Sequence, residues 1–395
     1  MSVYRNALMQ AGSPTRAATG YTLWSWGTFT SGNSGLGNNT AYSSPVQVGD
    51  LNDWTPMVCT DSYSSHAIKS DGTLWSWGKG NLLGDGTAGA SPVSSPVQIG
   101  SATDWYGVFA NSQGNQVYAI NTSGELWVWG DNSYGSLGTN NTTAYSSMVQ
   151  LAGTTWAAIG GGNEHTIAVK TDGTIWGWGN GQHSATWHNN TTTYSSPVQG
   201  GSDTTWWGAK GYPPSGGWEN GVENAKTFGN CGQGYWSSMV IDEDGKLWGV
   251  GWNGVGNVAM SGTITSPTQV GTETDWTHLS HVAFGGVGIR DSQWTCWGGY
   301  NFAGEWGTGN KDYGAGILTE WDGTATELCK GQQKYYQAFN IANFGGTLYY
   351  AGDNSQGQYG DGTITSECSP VQGPGTTDWT RVVAGEYHCH GIKPG

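Results

Sequence analysis

The sequence predicts an all-β fold, a β-propeller of seven four-stranded blades, and three observations carry that expectation. A tryptophan-rich pentapeptide closing on glycine recurs seven times, apolar residues follow no helical period, and the two chain ends read as complementary fragments of one unit. The pentapeptide is LWSWG at residues 23–27. It returns as LWSWG (74–78), LWVWG (126–130), IWGWG (175–179), LWGVG (247–251), TCWGG (295–299) and LYYAG (348–352). The closing glycines stand about fifty residues apart, except for a longer step between Gly179 and Gly251.

One unit is clearest between residues 50 and 100. Asp53-Trp54 opens a strand through Val58, Ser65 to Lys69 forms a second, and Leu74 to Trp77 a third. Asp71-Gly72 joins the second to the third, a tight hairpin signal between alternating runs. SSPVQI (94–99) is the fourth strand, with Pro96 near its start where a missing N–H is tolerated. Short four-stranded units of this period fit radial blades, where both faces pack on neighbours and tryptophan is buried on each.

The chain ends supply the expectation of closure. DWTRVV…HCHGIKPG (378–395) matches DWTPMV…SSHAIKSD (53–71) and stops where the tryptophan strand should begin, while the N-terminal part begins with that strand. The two ends are expected to share one blade, with the ownership of PVQV (45–48) left open. The domain reading is an arm over residues 1–20 and a propeller over 21–395. Tyr4, Arg5 and Arg16 make the arm a mildly basic candidate for assembly contacts on an acidic body.

Composition excludes several function classes. The formal charge is −15 with only 11% charged residues, which opposes binding to nucleic-acid phosphates or anionic lipid. No run of 18 apolar residues exists, and residues 1–20 lack the apolar core of a secretory signal. Six widely spaced cysteines share no metal spacing and are expected to be free thiols. Neither a cofactor nor a metal is expected.

The unit DWxxV, followed by HTIAVKTDGTIWGWG (165–179), with NSYGSLG (132–138) and SSPVQV, resembles the repeats of the regulator of chromosome condensation family. That resemblance covers residues 21–395 and implies a seven-bladed propeller. The namesake member is a nucleotide-exchange factor that contacts chromatin, but the acidic balance here opposes chromatin, and no functional residue carries over. Fold alone does not fix function.

Sixteen of the 24 tryptophans fall at repeat positions and read as core. The other eight, Trp187, Trp207, Trp218, Trp236, Trp252, Trp294, Trp306 and Trp321, gather where the repeat erodes, beside an insertion at 208–234. Rigid aromatics and paired prolines on a long loop suit recognition, which makes Tyr212, Pro213, Pro214 and Trp218 binding candidates, with Trp187 and His188 behind them. The competing reading has these tryptophans repacking a degenerate blade interface. No catalytic motif is present: Asp242-Glu243-Asp244-Gly245 sits at a hairpin turn, and His388 and His390 share repeat positions with His165 and His66. The chain is expected to be non-enzymatic. Aromatics, low lysine and Gly/Ser/Thr/Asn loops first suggest a bacteriophage virion component, of tail, fibre or head surface. Its arm would bind other virion proteins and its irregular blades a host-surface protein or glycan. The alternative is a cellular or secreted propeller binding a protein or glycan.

Overall fold

The computed structural model describes residues 20–395, apart from 88, 90, 112–114, 207–230, 234–235, 255, 261, 283–284, 292, 299–318, 322–326, 331–338, 374 and 376. Among the described residues the fold is all-β, with one short 3-10 turn at Gly80–Leu82 and no helix long and apolar enough to cross a membrane. The strands form one eight-stranded sheet and five four-stranded sheets, all with antiparallel neighbours. The first group of the eight-stranded sheet is Arg381–Ala384, His388–Pro394, Tyr21–Gly27 and Tyr42–Gln47. The second is Trp54–Thr60, Ser64–Lys69, Leu74–Lys79 and Pro92–Gln98, joined to the first by the single pair Tyr21–Trp54.

The N-terminal strand Tyr21–Gly27 pairs along its whole length with the C-terminal strand, from Tyr21–Pro394 to Gly27–His388. Its other edge pairs with Tyr42–Gln47, so the segment containing PVQV belongs with the chain ends. The first strands of successive groups lie side by side, from Trp54–Thr60 through Trp105–Asn111 and Trp156–Gly161 onward, and Arg381–Ala384 lies against Trp54–Thr60.

The repeated glycine has a steric cause. Gly27, Gly78, Gly130, Gly179 and Gly251 all adopt φ between 91° and 112°. A Cβ at these positions would strike the carbonyl of Tyr387, Tyr63, Asn115, Glu164 or Trp236, the residue just before the neighbouring second strand. Only glycine permits that approach at that φ.

Tryptophan positions divide into two roles. The opening tryptophan of a sheet packs edge-on against the tryptophans of its third strand, as Trp54 does on Trp75 at 6.2 Å and on Trp77 at 6.1 Å. The second tryptophan of the third strand donates its indole N–H across to a loop carbonyl of the preceding sheet. Trp26 reaches Gln358 at 2.8 Å, Trp77 reaches Asn33 at 3.0 Å, and Trp129 reaches Leu82 at 2.7 Å. Trp178 bonds Ser136 at 2.7 Å and Trp297 bonds Asn257 at 2.9 Å. These buried bonds satisfy the indole donor and fix each sheet to its neighbour.

The two ends of the sheets differ chemically. At the turn end, where the Asp-Gly hairpins lie, Asp50, Asp71, Asp104, Asp172, Asp203, Asp244, Asp275, Asp291 and Asp378 are exposed. Three lysines there are held against indoles, Lys69 over Trp54 and Trp75, Lys170 over Trp156 and Trp176, Lys393 over Trp24 and Trp379, while Lys246 pairs with Asp244 at 2.9 Å. The opposite, loop end carries the repeated glycines, the hairpins between first and second strands, and the long loops after the third strand.

Candidate aromatic site at the loop end

At the loop end, the sheet ending in Tyr194–Gln199 meets the sheet that begins at Cys231–Gln233, and there partly exposed aromatics converge. His183 comes from the loop after Ile175–Gly179, Trp236 from the residue before Ser237–Ile241, and Trp252 from the residue after Leu247–Gly251. The backbone N–H of Trp252 donates to the Trp236 carbonyl at 2.8 Å, so the glycine-centred geometry itself brings the two indoles together. Their rings meet edge-on at 5.5 Å and 87°. The His183 imidazole lies 4.9 Å from Trp236 at 36°, closer to stacked.

Glu164, at the position equivalent to Trp236 in the preceding sheet, lies within electrostatic reach of His183. Its carboxylate accepts from Asn180 Nδ2 at 2.6 Å and from Asn163 Nδ2 at 3.4 Å, which fixes its plane. Burial lowers the His183 pKa and the Glu164 charge partly restores it. The imidazole is thus held toward its neutral form, with a carboxylate within electrostatic reach. The arrangement offers two indole faces, an imidazole and an oriented carboxylate at one junction. A second partly exposed aromatic pair, Tyr63 and Tyr387, occupies the same end, with Lys79 Nζ 5.0 Å above the Tyr63 ring.

Of the binding residues expected from sequence, Trp187 and His188 are described. Trp187 is a core residue: it is 2% exposed and meets Trp206 edge-on at 5.3 Å. The reason is an exchange between sheets. Two residues beyond each accepting loop carbonyl, Gly35, Gly84, Gly138 and Gly360 lean against the indoles of Trp77, Trp129, Trp178 and Trp26. In the LWGVG strand that indole is replaced by Val250, and the loop residue two beyond the Ala185 carbonyl is Trp187, at φ 70°. The Ala185 carbonyl accepts instead from Ser238 Oγ at 2.7 Å. Trp187 and Val250 share one buried cluster with Trp206, so the missing indole is supplied from the opposite side. This burial corrects the expectation that Trp187 faces a ligand. His188 is partly buried, its Nε2 donating to the Val198 carbonyl at 2.9 Å and its ring 4.7 Å from Tyr194, so it braces its own loop.

Tyr212, Pro213, Pro214 and Trp218 lie outside the described residues, as do Tyr4, Arg5 and Arg16. The flanks of the insertion are described: Trp206 pairs with Asp242 and Cys231 with Val240. In the preceding sheet Trp156 pairs with Lys170 and Ile159 with Ala168 around a register shift. The insertion thus interrupts a first strand at the point where its neighbour carries a bulge, a usual place for extra residues.

Other expectations resolve locally. His388 and His390 are buried and hydrogen-bond to Thr60 and Ser65 at 2.7 and 2.8 Å. Asp242 receives the N–H groups of Asp244 and Lys246 and the Trp248 indole, which makes the acidic motif a hairpin turn. Cys59, Cys296, Cys368 and Cys389 are in no disulfide. Trp236 and Trp252 were visible in the sequence as tryptophans off the repeat, but Glu164 and His183 were not, because they join the site only through the adjacency of two sheets.

Antiparallel four-stranded sheets set side by side by their first strands, with an aromatic cluster at one end, define a propeller-type scaffold. A sequence model of the regulator of chromosome condensation (RCC1) repeat matches residues 123–169, and a second model of that repeat matches 156–184. Together the two matches span residues 123–184 of this chain. It is 34% identical over 114 residues to the mitochondrial RCC1 domain-containing protein RUG3 of Arabidopsis thaliana, covering 28% of this chain and 25% of that protein. Similarity to the Arabidopsis ultraviolet-B receptor UVR8 is 25% over 263 residues, covering 62% of this chain and 52% of the receptor. A 30% identical match to the human E3 ubiquitin-protein ligase HERC2 covers 31% of this chain and 3% of the ligase. The chain spans about half or less of the length of these curated relatives. Among solved structures, Prp20p of Saccharomyces cerevisiae superposes with a TM-score of 0.76 at 14% identity over 100% of this chain and 95% of that one. Human WBSCR16 gives 0.72 at 15% identity over 95% and 99%. These likenesses show the fold.

Proposed function

We propose that this chain is a non-enzymatic binding propeller that engages a protein partner through its loop end. The observation that carries the reading is the convergence of partly exposed Trp236, Trp252 and His183 beside the oriented carboxylate of Glu164. Indoles and tyrosines held rigidly at a surface supply contact area at low entropic cost, which suits a protein interface. Prp20p, the fold neighbour from yeast, was studied for its binding to Gsp1p and histones, which supports protein binding as a use of this scaffold. The scaffold is read as seven blades closed into a ring, the first blade being completed by the N-terminal strand. Pairing of Tyr21–Gly27 with His388–Pro394 and contact of Arg381–Ala384 with Trp54–Thr60 support this reading.

Of the two functions expected from sequence, the comparisons favour the cellular binding propeller, since the relatives they return are plant and mammalian proteins. The virion reading rests on composition and on the resemblance of short motifs such as SSPVQV and DGTLWSWG to propellers of bacteriophage structural proteins. A photo-crosslinking amino acid at position 183 tests the proposal in the source cells. The expected result is one saturable protein adduct that Trp236→Ala removes and that the same probe at Asp203, on the turn end, does not form. Equal labelling from both ends would overturn it. Recovery of the chain in purified phage particles would revive the virion reading.

A further inference from the structure

At four junctions between neighbouring sheets, the long loop after a third strand is bonded to the fourth strand of the next sheet. The backbone N–H of Gly37 donates to the Ser94 carbonyl at 2.7 Å, Gly86 to Ser146 at 3.0 Å, Asn140 to Ser195 at 2.7 Å and Gly362 to Ser43 at 2.7 Å. All four donors adopt φ between 62° and 90°. The acceptors all fall where the fourth strand shifts register against its own third strand, a bulge that frees their carbonyls for a neighbour.

The junction between the sheets ending in Tyr194–Gln199 and Ile264–Gln269 is built differently. Thr265 holds the acceptor position in the same kind of register shift, and Asn189 holds the donor position at φ 56°, but Asn189 makes no such bond. Thr265 and Ser266 are exposed, whereas Ser43, Ser94, Ser146 and Ser195 are half-buried. Trp187 is the cause. At the bonded junctions the residue two before the donor is Gly35, Gly84, Gly138 or Gly360, where a Cβ would meet an indole at 2.9 to 3.1 Å. Trp187 stands at that position and packs into the junction in place of the indole that Val250 lacks, so its loop cannot follow the common path. Thr186 Oγ1, Trp187 Nε1 and Ser237 Oγ are left buried there with no hydrogen-bond partner.

We propose that the exposed edge at Thr265 and Ser266 receives a glycine-bearing turn of the partner protein, whose backbone N–H donates to the Thr265 carbonyl. What covers the same edge elsewhere in the chain defines the occupant. Gly86 and Gly362 each follow an aspartate, Asp85 or Asp361, that accepts from the N–H of Thr87 or Thr363 at 2.8 and 2.9 Å. The sequence Gly-Asp-Gly-Thr at 84–87 and 360–363 thus presents the donor and holds the left-handed turn that aims it. Main-chain bonds to a sheet edge supply affinity without a charged anchor. Ile264 pairs with Gly251, the residue before Trp252, so this edge lies on the same sheet as the aromatic cluster. The proposal rests on the loop end being the binding end, and it adds the conformation of the segment that binds there.

The test uses the full chain isotopically labelled at threonine carbonyls, with the Thr265 resonance assigned by its loss in Thr265→Ser. The probes are the peptide LGDGTAG, the sequence of residues 83–89, and a copy methylated on the Gly86 nitrogen, which removes the donor. The first is expected to move the Thr265 carbonyl resonance downfield saturably, and the methylated copy to bind about tenfold more weakly. Trp187→Gly with Val250→Trp restores the common junction. In that variant the Asn189 N–H is expected to reach Thr265, moving its resonance downfield before any peptide is added and abolishing the response to it. Equal binding of the two peptides, or a Thr265 resonance that the peptide leaves in place, would overturn the proposal; neither reading needs the double variant to fold. If position 183 captures a partner that depends on Trp236 while the peptide leaves Thr265 unmoved, the binding end stands and the edge falls. If the peptide moves Thr265 but position 183 captures nothing, the edge stands and the reading of the aromatic cluster falls.

Discussion

Gly138 leaning on Trp178, and Trp187 standing beside Val250, are two solutions to one packing problem, with the indole supplied from either side of a sheet junction. Trp187→Ala is expected to cost about 3–5 kcal/mol in chemical denaturation, the range for truncating a buried aromatic. Restoring the common arrangement with Trp187→Gly plus Val250→Trp is expected to recover much of that loss. A double-mutant cycle with strictly additive effects would show that the two positions do not share one volume. Gly78→Ala is expected to destabilise by more than about 1 kcal/mol, since its φ of 112° and the Tyr63 carbonyl both exclude a Cβ. Urea midpoints for Gly78→Ala and for Gly100→Ala, at φ 65° with nothing near its Cβ, separate contact from conformation. At this scale the sequence was half legible. The closing glycine announced itself by repetition. Trp187 could be noticed only as a tryptophan off the repeat, because its meaning depends on Val250, which lies in another sheet.

The strand His388–Pro394 joins the chain ends and carries two of the five buried histidines among the described residues, with a third, His66, in the adjoining group. His66 bridges Ser64 and Ser76 at 2.9 and 2.8 Å, and Asp61 accepts from Ser64 Oγ at 2.7 Å. Burial holds His66 and His390 down at about 3, and burial with the charge of His390 holds His388 well below its ordinary range. The folded protein keeps all three neutral, whereas the unfolded chain protonates them near 6.5. Their contribution to stability is therefore complete above pH 6.5 and is lost as pH falls from there toward 3. Asp61 acts in the opposite sense: burial pushes its carboxyl up to about 6, so its protonation below that pH returns part of the loss. Three imidazoles against one carboxylate leave a net loss of stability as pH falls through this window. Thermal midpoints should fall steeply from pH 6.5 to 4.5, and the fall should flatten in His388→Gln with His390→Gln; an unchanged slope would refute the assignment. The repeat made these histidines look like packing residues. Their hydroxyl partners could not be read, because Thr60 and Ser65 belong to a group that sequence places beside the C-terminal strand only through closure.

Across the whole molecule, the strand pattern was legible because each unit repeats the same turn chemistry. The loop-end site was not, since it assembles residues 164, 183, 236 and 252 from neighbouring sheets. The Gly395 N–H donates to the Gly20 carbonyl at 3.0 Å, so the described chain ends are in contact. A circular permutant that joins Gly395 to Gly20 and opens between Gly201 and Ser202 is expected to fold, with a thermal midpoint within about 5 °C of a chain starting at Gly20. Failure to fold would argue that the ends do not complete one blade. The contact between Gly20 and Gly395 lies at the acidic turn end, away from Trp236 and Trp252. A tether attached at either described end therefore leaves the aromatic end pointing into solution, so that a surface coated with this protein would display its aromatic cluster outward.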